Sequence, residues 1–203
     1  WKDGTVRTVE ISSHEFTFAE RRARLVVVND VTERLAALEE LKRSEAESAA
    51  RARQQAAIAE LGREAVAGAP LPALLDRAVC RVADVLGVEF CKVLELLPDR
   101  SVLLLRAGVG WPEGLVGTAT ADSGPHSQAG YTLQSKDPVV VEDLRTETRF
   151  SGPTLLVEYG VVSGVSVVVG DVAAPYGVLG AHTASRRTFS VHDVHFLQGL
   201  DVY

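Results

Sequence analysis

The sequence contains no methionine and a single asparagine, Asn29, and it has only two cysteines, Cys80 and Cys91. Two cysteines without metal-ligand spacing are too few for a disulfide framework, so they read as small buried hydrophobes in a reducing compartment, and a cytoplasmic location is expected. No apolar run approaches the roughly 18 residues of a membrane span, and no secretory signal is visible. A chain that starts Trp1-Lys2 with no methionine is expected to be a fragment or a cleaved product, whose parent could still be membrane-anchored. Basic residues are outnumbered, 21 against 27 acidic ones, and the net charge of −6 leaves no basic stripe for nucleic acid. What is present is 203 residues, 46% of them apolar, enough for one large or two small cores.

The most informative stretch is Asn29-Asp30-Val31-Thr32-Glu33-Arg34, where one kind of structure stops and another begins. Before it, Ala23 to Val28 is a β-branched run suited to a strand. The expected strands are Val6 to Ser13, Glu15 to Ala19 and Ala23 to Val28, with turns at Lys2-Asp3-Gly4-Thr5 and Glu20-Arg21-Arg22. Three strands in residues 1–30 make too small a core to stand alone. After the junction, Leu35 to Ala67 has no proline and one glycine, Gly62, and is expected to be helical. Asp30 can cap that helix with Glu33 reaching back to it, and Arg34 lies one turn on, within reach of Asp30. A sheet feeding a capped, charged helix suits a relay, with Asp30, Thr32, Glu33 and Arg34 as its signal-relay residues.

Residues 31–67 would span about 50 Å as one helix. Leu35, Leu38 and Leu41 give an apolar seam at its start and Ile58 and Leu61 one at its end, with alanine and serine between, so no strict heptad is sustained. A loosely packed homodimeric coiled coil is expected, because a lone helix would leave Leu35, Leu38 and Leu41 wet. Opposite charges at helical spacing, Glu39 with Arg43 and Glu47 with Arg51, would add only tenths of a kcal/mol each.

Residues 68–203 read as one α+β domain. Gly68-Ala69-Pro70 breaks the linker, Leu71 to Leu86 shows a broad apolar helix face, and Gly87 closes it. Strands are expected over 88–97 and 101–109 about the turn Pro98-Asp99-Arg100, then an irregular stretch from Gly110 to Gly130 and a short strand at 138–142. A short helix near 153–159, strands over 161–169 and 176–183, and a helix capped by Ser190 complete it, with Val194, Phe196, Leu197 and Leu200 inward. The expected architecture is an antiparallel sheet with helices on one face.

The first 34 residues, with Lys2-Asp3-Gly4-Thr5 and the exit Asp30-Val31-Thr32, resemble the C-terminal part of a PAS domain. From about residue 56 onward, Ala83 to Val93, Ala107-Gly108-Val109-Gly110-Trp111, Ser127 to Leu133, Pro138 to Arg145, Gly160 to Gly164 and Tyr176 to Thr183 resemble a bacterial signalling GAF domain. The resemblance implies a GAF-like antiparallel sheet with flanking helices, preceded by a long helical linker and the last three strands of a PAS-like sheet. It implies domains at 1–30, 31–67 and 68–203, and a sensory module that relays ligand or partner binding through a dimeric helix. The output would be a histidine kinase, cyclic-di-GMP enzyme or phosphatase outside this chain. The alternatives are a ligand-free GAF acting as a structural dimerisation module and a GAF-type methionine sulfoxide reductase.

The implied pocket lies between the sheet and the segment Gly110 to Leu133, with Val93, Trp111, Tyr131, Ser163, Val165 and His182 as candidate lining residues; the alternative is that they fill the core, which is the favoured reading for Val93 and Val165 and an even one for Trp111 and Tyr131. The cofactor is left open. Neither cysteine adjoins a histidine, which argues against a covalent bilin, and the lone Asn29 lies outside the domain, which argues against a cyclic nucleotide. His182 is the best-placed candidate for a haem ligand, but the favoured reading for it is a satisfied core or sheet histidine. His192 and His195 could form a surface metal pair but lack a third ligand, and His126 lies in the irregular segment. Asp143, Arg145, Glu147 and Arg149 read as a salt-bridged surface loop. No catalytic constellation or phosphate loop is found, so the fragment is expected not to be an enzyme.

Overall fold

The computed structural model describes residues 6–18, 21–151, 154–171 and 173–200. The chain divides into two compact units, residues 1–50 and 51–203.

In the first unit, β1 (Val9–Phe18) and β2 (Arg21–Asp30) form an antiparallel hairpin in unbroken register from Val9↔Asp30 to Phe18↔Arg21. Among the described residues there are thus two long strands where three were expected. Ser13, His14 and Glu15 do not break the first strand, because Val26, Leu25 and Arg24 continue the ladder opposite them, and Arg24 pairs with Glu15 at 3.1 Å. Arg21 and Arg22, expected in a turn, open β2; the turn expected at Lys2 to Thr5 lies outside the described residues. The helix after the junction, α1 (Thr32–Val66), has nearly the expected bounds.

The second unit begins within α1, at Arg51. Ala57 joins its core, Ile58 packs on that core, and Gln54 Nε2 donates to Asp193 Oδ1 at 3.1 Å. After α1 comes α2 (Leu71–Leu86), closed as expected by Gly87, whose φ of 61° is left-handed. Strands β3 (Phe90–Leu96) and β4 (Val102–Val109) follow, then β5 (Thr120–Asp122), α3 (Gln128–Ser135) and β6 (Val139–Val141). A 3-10 turn at Leu144–Thr146, α4 (Thr154–Glu158), β7 (Ser163–Asp171), β8 (Ala174–Thr183) and α5 (Val191–Gln198) complete the unit. The six strands form one antiparallel sheet in the order β5-β4-β3-β8-β7-β6, so β3 and β8 are central.

Side chains alternate across this sheet, and both faces are covered. On one face Cys91, Val93, Val165, Val167, Leu179 and Ala181 pack under α2 and α5, where Val79, Val82, Phe196 and Leu197 are buried. Ser190 and Asp193 form a reciprocal capping box that starts α5. On the other face Leu94, Leu103, Leu105 and Val178 pack with Ala129 of α3, and Val139, Val141 and Phe150 pack with Leu156 of α4. Helices therefore lie on both faces of the sheet, where the sequence pointed to one. Among the described residues no helix is long and apolar enough to cross a membrane.

Candidate functional site

The second face, the one under α3 and α4, carries the polar interior. On β3 the side chains of Lys92 and Leu94 point to it; on β8 those of Val178 and His182 do so, with Gly180 between them, and on β7 that of Ser166, two residues after Gly164. The register sets Lys92 opposite Gly180 and Ser166 opposite Gly180 on its other side, so Lys92, Ser166 and His182 surround one glycine. Above them, Ser127, Gln128 and Ala129 at the start of α3 and Leu155 of α4 close a cavity whose free volume is about 10 Å³, room for roughly one water.

Each wall has a local cause. Ser127 caps α3 by accepting from Gly130 N at 2.9 Å while its own hydroxyl donates to the Asp122 carbonyl at 2.5 Å. Gly130 allows the helix to sit close: a Cβ there would lie 1.9 Å from the Gly124 carbonyl oxygen. The Gln128 amide donates to Ser166 Oγ at 3.2 Å, and Ser166 Oγ meets Thr132 Oγ1 at 2.7 Å, which ties α3 to β7. Trp111 lies beside the cavity, outside its lining. Its Nε1–H donates to the Cys91 carbonyl at 2.8 Å, its ring stands edge-on to His182 with centroids 6.4 Å apart, and the Lys92 ammonium lies 5.2 Å from the ring centre.

Two groups in this cavity lack what burial normally demands. His182 is 1% exposed, and neither ring nitrogen has a hydrogen-bond partner among the described residues. Its imidazole lies over the sheet where Gly164 and Gly180 leave space: a Cβ at Gly164 would come 2.3 Å from Nδ1 and one at Gly180 2.7 Å from Nε2. Lys92 is 5% exposed, and no carboxylate lines the cavity. Burial pulls the Lys92 amine down from 10.5 to about 7. Burial and then the Lys92 charge hold His182 well below its ordinary range, so its imidazole is neutral.

Of the residues expected to line a pocket, His182 is at this cavity and Trp111 beside it. Val93, Ser163 and Val165 are not. Val93 and Val165 sit one residue off in the strand alternation and so pack under α2 and α5. Ser163 is spent structurally, donating to the Glu142 carbonyl at 2.6 Å and accepting from Arg187 N at 2.8 Å. Tyr131 packs on Phe150 under Arg149, outside the cavity lining. Lys92, Gln128, Thr132 and Ser166 were missed. The signal for Lys92 was available: a lone lysine inside an apolar run reads as surface only on an edge strand, and β3 is central.

The other expected residues have plain positions. Asp30 pairs with Arg7 at 2.7 Å, not with Arg34, and accepts from Thr32 N at 3.0 Å. The Arg7 hydrogen bond, then those from Thr32, hold the Asp30 carboxyl down at about 2. Thr32 Oγ1 accepts from Thr8 N at 2.8 Å, so the end of β2 is tied to the chain before β1; Glu33 and Arg34 are exposed. Leu35, Leu38 and Leu41 are 43%, 43% and 55% exposed. Ile58 and Leu61 instead face their own unit, lining with Leu71, Leu74 and Tyr176 an apolar groove of about 410 Å³. His126, His192 and His195 are exposed, and the described residues hold no group of three metal-ligating side chains. Arg145 with Asp143 and Arg149 with Glu147 are surface pairs at 2.7 and 2.6 Å.

The sequence that builds this six-stranded sheet and its covering helices is matched by a family model. The model for the GAF domain covers residues 70–200. The chain belongs to the GAF family. GAF domains are sensory and regulatory modules of signalling proteins, and residues 70–200 carry one. Its fold is shared with the GAF domain of an Acinetobacter phosphoenolpyruvate-protein phosphotransferase, at 23% identity and a TM-score of 0.63 over 73% of this chain and 88% of that one. The GAF domain of the corresponding Coxiella burnetii protein matches with a TM-score of 0.67 at 16% identity, over 75% and 90% of the two chains. The free methionine-R-sulfoxide reductase of Neisseria meningitidis, solved with its substrate, matches at 0.60 and 16% identity over 74% and 87%. No curated protein matches this chain in sequence.

Proposed function

We propose that the chain is the sensory and regulatory region of a bacterial signalling protein, in which occupancy of the GAF cavity biases the helices that lead to an output domain outside these residues. The observation that carries this reading is the cavity itself. A purely structural core would not leave His182 unpartnered and Lys92 without a counter-charge, since both are costly when empty. The hairpin β1–β2 and its tied exit at Asp30 and Thr32 would be the end of a PAS domain. The exposed Leu35, Leu38 and Leu41, spaced at one helical face in a charged helix, would pair with the same face of a second copy. A ligand acts in such a relay only through its different affinity for the two helix arrangements.

A second reading, a ligand-free GAF that serves as a dimerising spacer, is favoured by the free volume of only about 10 Å³. Chemistry at a thiol has less support. Cys91 lies under the helical face, away from the cavity, and burial pushes its thiol up, while Cys80 is exposed on α2. The same placement argues against a pigment bonded to cysteine.

Native mass spectrometry of the 203-residue chain separates the two readings. A dimer with a reproducible added mass is the sensor's result, and a bare dimer is the spacer's. In both, Leu38→Glu with Leu41→Glu is expected to give monomer; an unchanged dimer would remove α1 as the interface.

A further inference from the structure

The helical layer contains a polar joint that its apolar packing does not account for. Gln54 is 8% exposed and is the first residue of α1 to be buried; Ala57 and Ile58 seat the next turn on the core. Its Nε2 donates to Asp193 Oδ1, and the other oxygen of that carboxylate accepts from Ser190 N at 3.0 Å. Asp193 N in turn donates to Ser190 Oγ at 3.2 Å, which completes the capping box of α5. One carboxylate thus closes the first turn of α5 and holds the first seated turn of α1.

Two further contacts fix the setting. Arg187 stands 3.9 Å from Asp193 Oδ2 and is anchored away from α1. Its guanidinium donates to the Leu86 carbonyl at 2.5 Å, at the end of α2, and lies 4.9 Å from the centre of the Phe189 ring. One turn after Gln54, Ile58 lies against Gly199, where a Cβ would come 2.7 Å from Ile58 Cδ1. Gln54 meets Asp193 and Ile58 meets Gly199, so α1 and α5 run side by side in the same direction and touch near both ends of α5. A helix of eight residues does not persist by propensity and depends on its caps and its packing. The Asp193 side chain is 15% exposed, so without Gln54 its Oδ1 must turn toward water, and the bond from Ser190 N turns with it.

We propose that Asp193 is the joint through which α1 and α5 move together: lifting α1 at Gln54 opens the first turn of α5, and opening that turn frees α1. The inference draws on the helical layer alone and stands with or without an occupant of the cavity. Arg187 stays with α2, so α2 and the sheet hold still while the joint opens. Such a coupling is reciprocal by linkage, which distinguishes it from two contacts that share an atom by chance.

The test is amide hydrogen exchange of the intact chain, read at 193–195 in α5 and at 54–58 in α1. Gln54→Leu, which keeps the volume and removes the donor, should speed exchange at 193–195 by about fivefold or more. Ser190→Ala, which opens the cap from the α5 side, should speed exchange at 54–58 by about threefold or more. Gln54→Glu, of the same shape but with a second carboxylate facing Asp193, should act on α5 more strongly than Gln54→Leu. Gln54→Leu combined with Ser190→Ala should give less than the product of the two separate changes. Amides of β3 and β8 should keep the parent rate in each variant. So should α5 in Arg81→Gln, which breaks a different α1 contact, the pair with Glu60. Unchanged exchange at 193–195 in Gln54→Leu, or at 54–58 in Ser190→Ala, overturns the joint. Faster exchange throughout, β3 and β8 included, overturns it as well, because Gln54 would then only add to overall stability.

Discussion

On the face of the sheet that carries α2 and α5, Cys91, Val93, Val165 and Val167 are packed into a dry apolar layer; one residue along the same strands, on the opposite face, lie Lys92, Ser166, Gly180 and His182. Both faces are buried, and the difference is what they bury. The helical side consists of groups that need no partners. The α3 side contains an imidazole with no hydrogen-bond partner among the described residues and a lysine with no carboxylate among the residues around it. A fold held by its helical layer can keep the other layer polar, because the apolar face supplies the stability that the polar face costs. In the GAF architecture one strand, β3, then serves both purposes at alternate residues.

The contrast can be broken most strongly by moving charge across the sheet. Val93→Lys would bury an unpaired ammonium among Val82, Leu179 and Ala181, and is expected to abolish folding, a loss of more than about 4 kcal/mol read as a collapse of the thermal transition. Leu197→Ala, in a side chain with no exposure, should cost about 2–5 kcal/mol in urea unfolding.

On the polar side the signs reverse. Lys92 has its folded value depressed from 10.5 to about 7, so between those values the unfolded chain holds a proton that the folded chain does not. Its contribution to stability is therefore lowest below pH 7 and increases toward pH 10. Comparing the urea stability of the chain with that of Lys92→Met across pH 6.5 to 10 should show a rise in the former that the variant lacks. A parallel pair of curves would contradict the burial of this amine. Gly164→Ala, whose new Cβ would meet His182 Nδ1, should destabilise by about 1–3 kcal/mol, and His182→Ala in the same chain should recover part of that loss in a double-mutant cycle. The smallest effect is outside both layers: Arg81→Gln, which removes the half-exposed pair with Glu60 at 2.7 Å, should change stability by less than about 1 kcal/mol.

The helical face was the legible one. The apolar spacing of α2, its glycine stop, the Ser190 cap and the inward Phe196 and Leu197 are local or periodic signals, and the structure places them as the periodicity indicates. The polar face was read poorly for reasons that are also local. The helix α3 has the sequence Gln128-Ala129-Gly130-Tyr131-Thr132-Leu133, with glycine and threonine inside it, and its helical form rests on the Ser127 cap and on packing over the sheet. With α3 read as irregular chain, nothing placed Gln128 or Thr132 over Ser166. Val93 and Val165 were assigned to the pocket because burial on both faces makes the strands continuously apolar, and composition then cannot say which way a residue points. Only the register, fixed by pairs such as Lys92↔Gly180, assigns the faces. The two-strand hairpin differs from three expected strands for a similar reason: polar residues in an exposed ribbon mimic a turn.

The central claim is that Lys92 is enclosed on the α3 side of the sheet with no carboxylate among the described residues that line the cavity. Its most direct test is the titration of the Lys92 side chain by carbon-detected NMR, assigned with Lys92→Met. The account places the midpoint near 7. A midpoint at the ordinary lysine value would mean that the amine reaches water, and the account of its burial would be wrong.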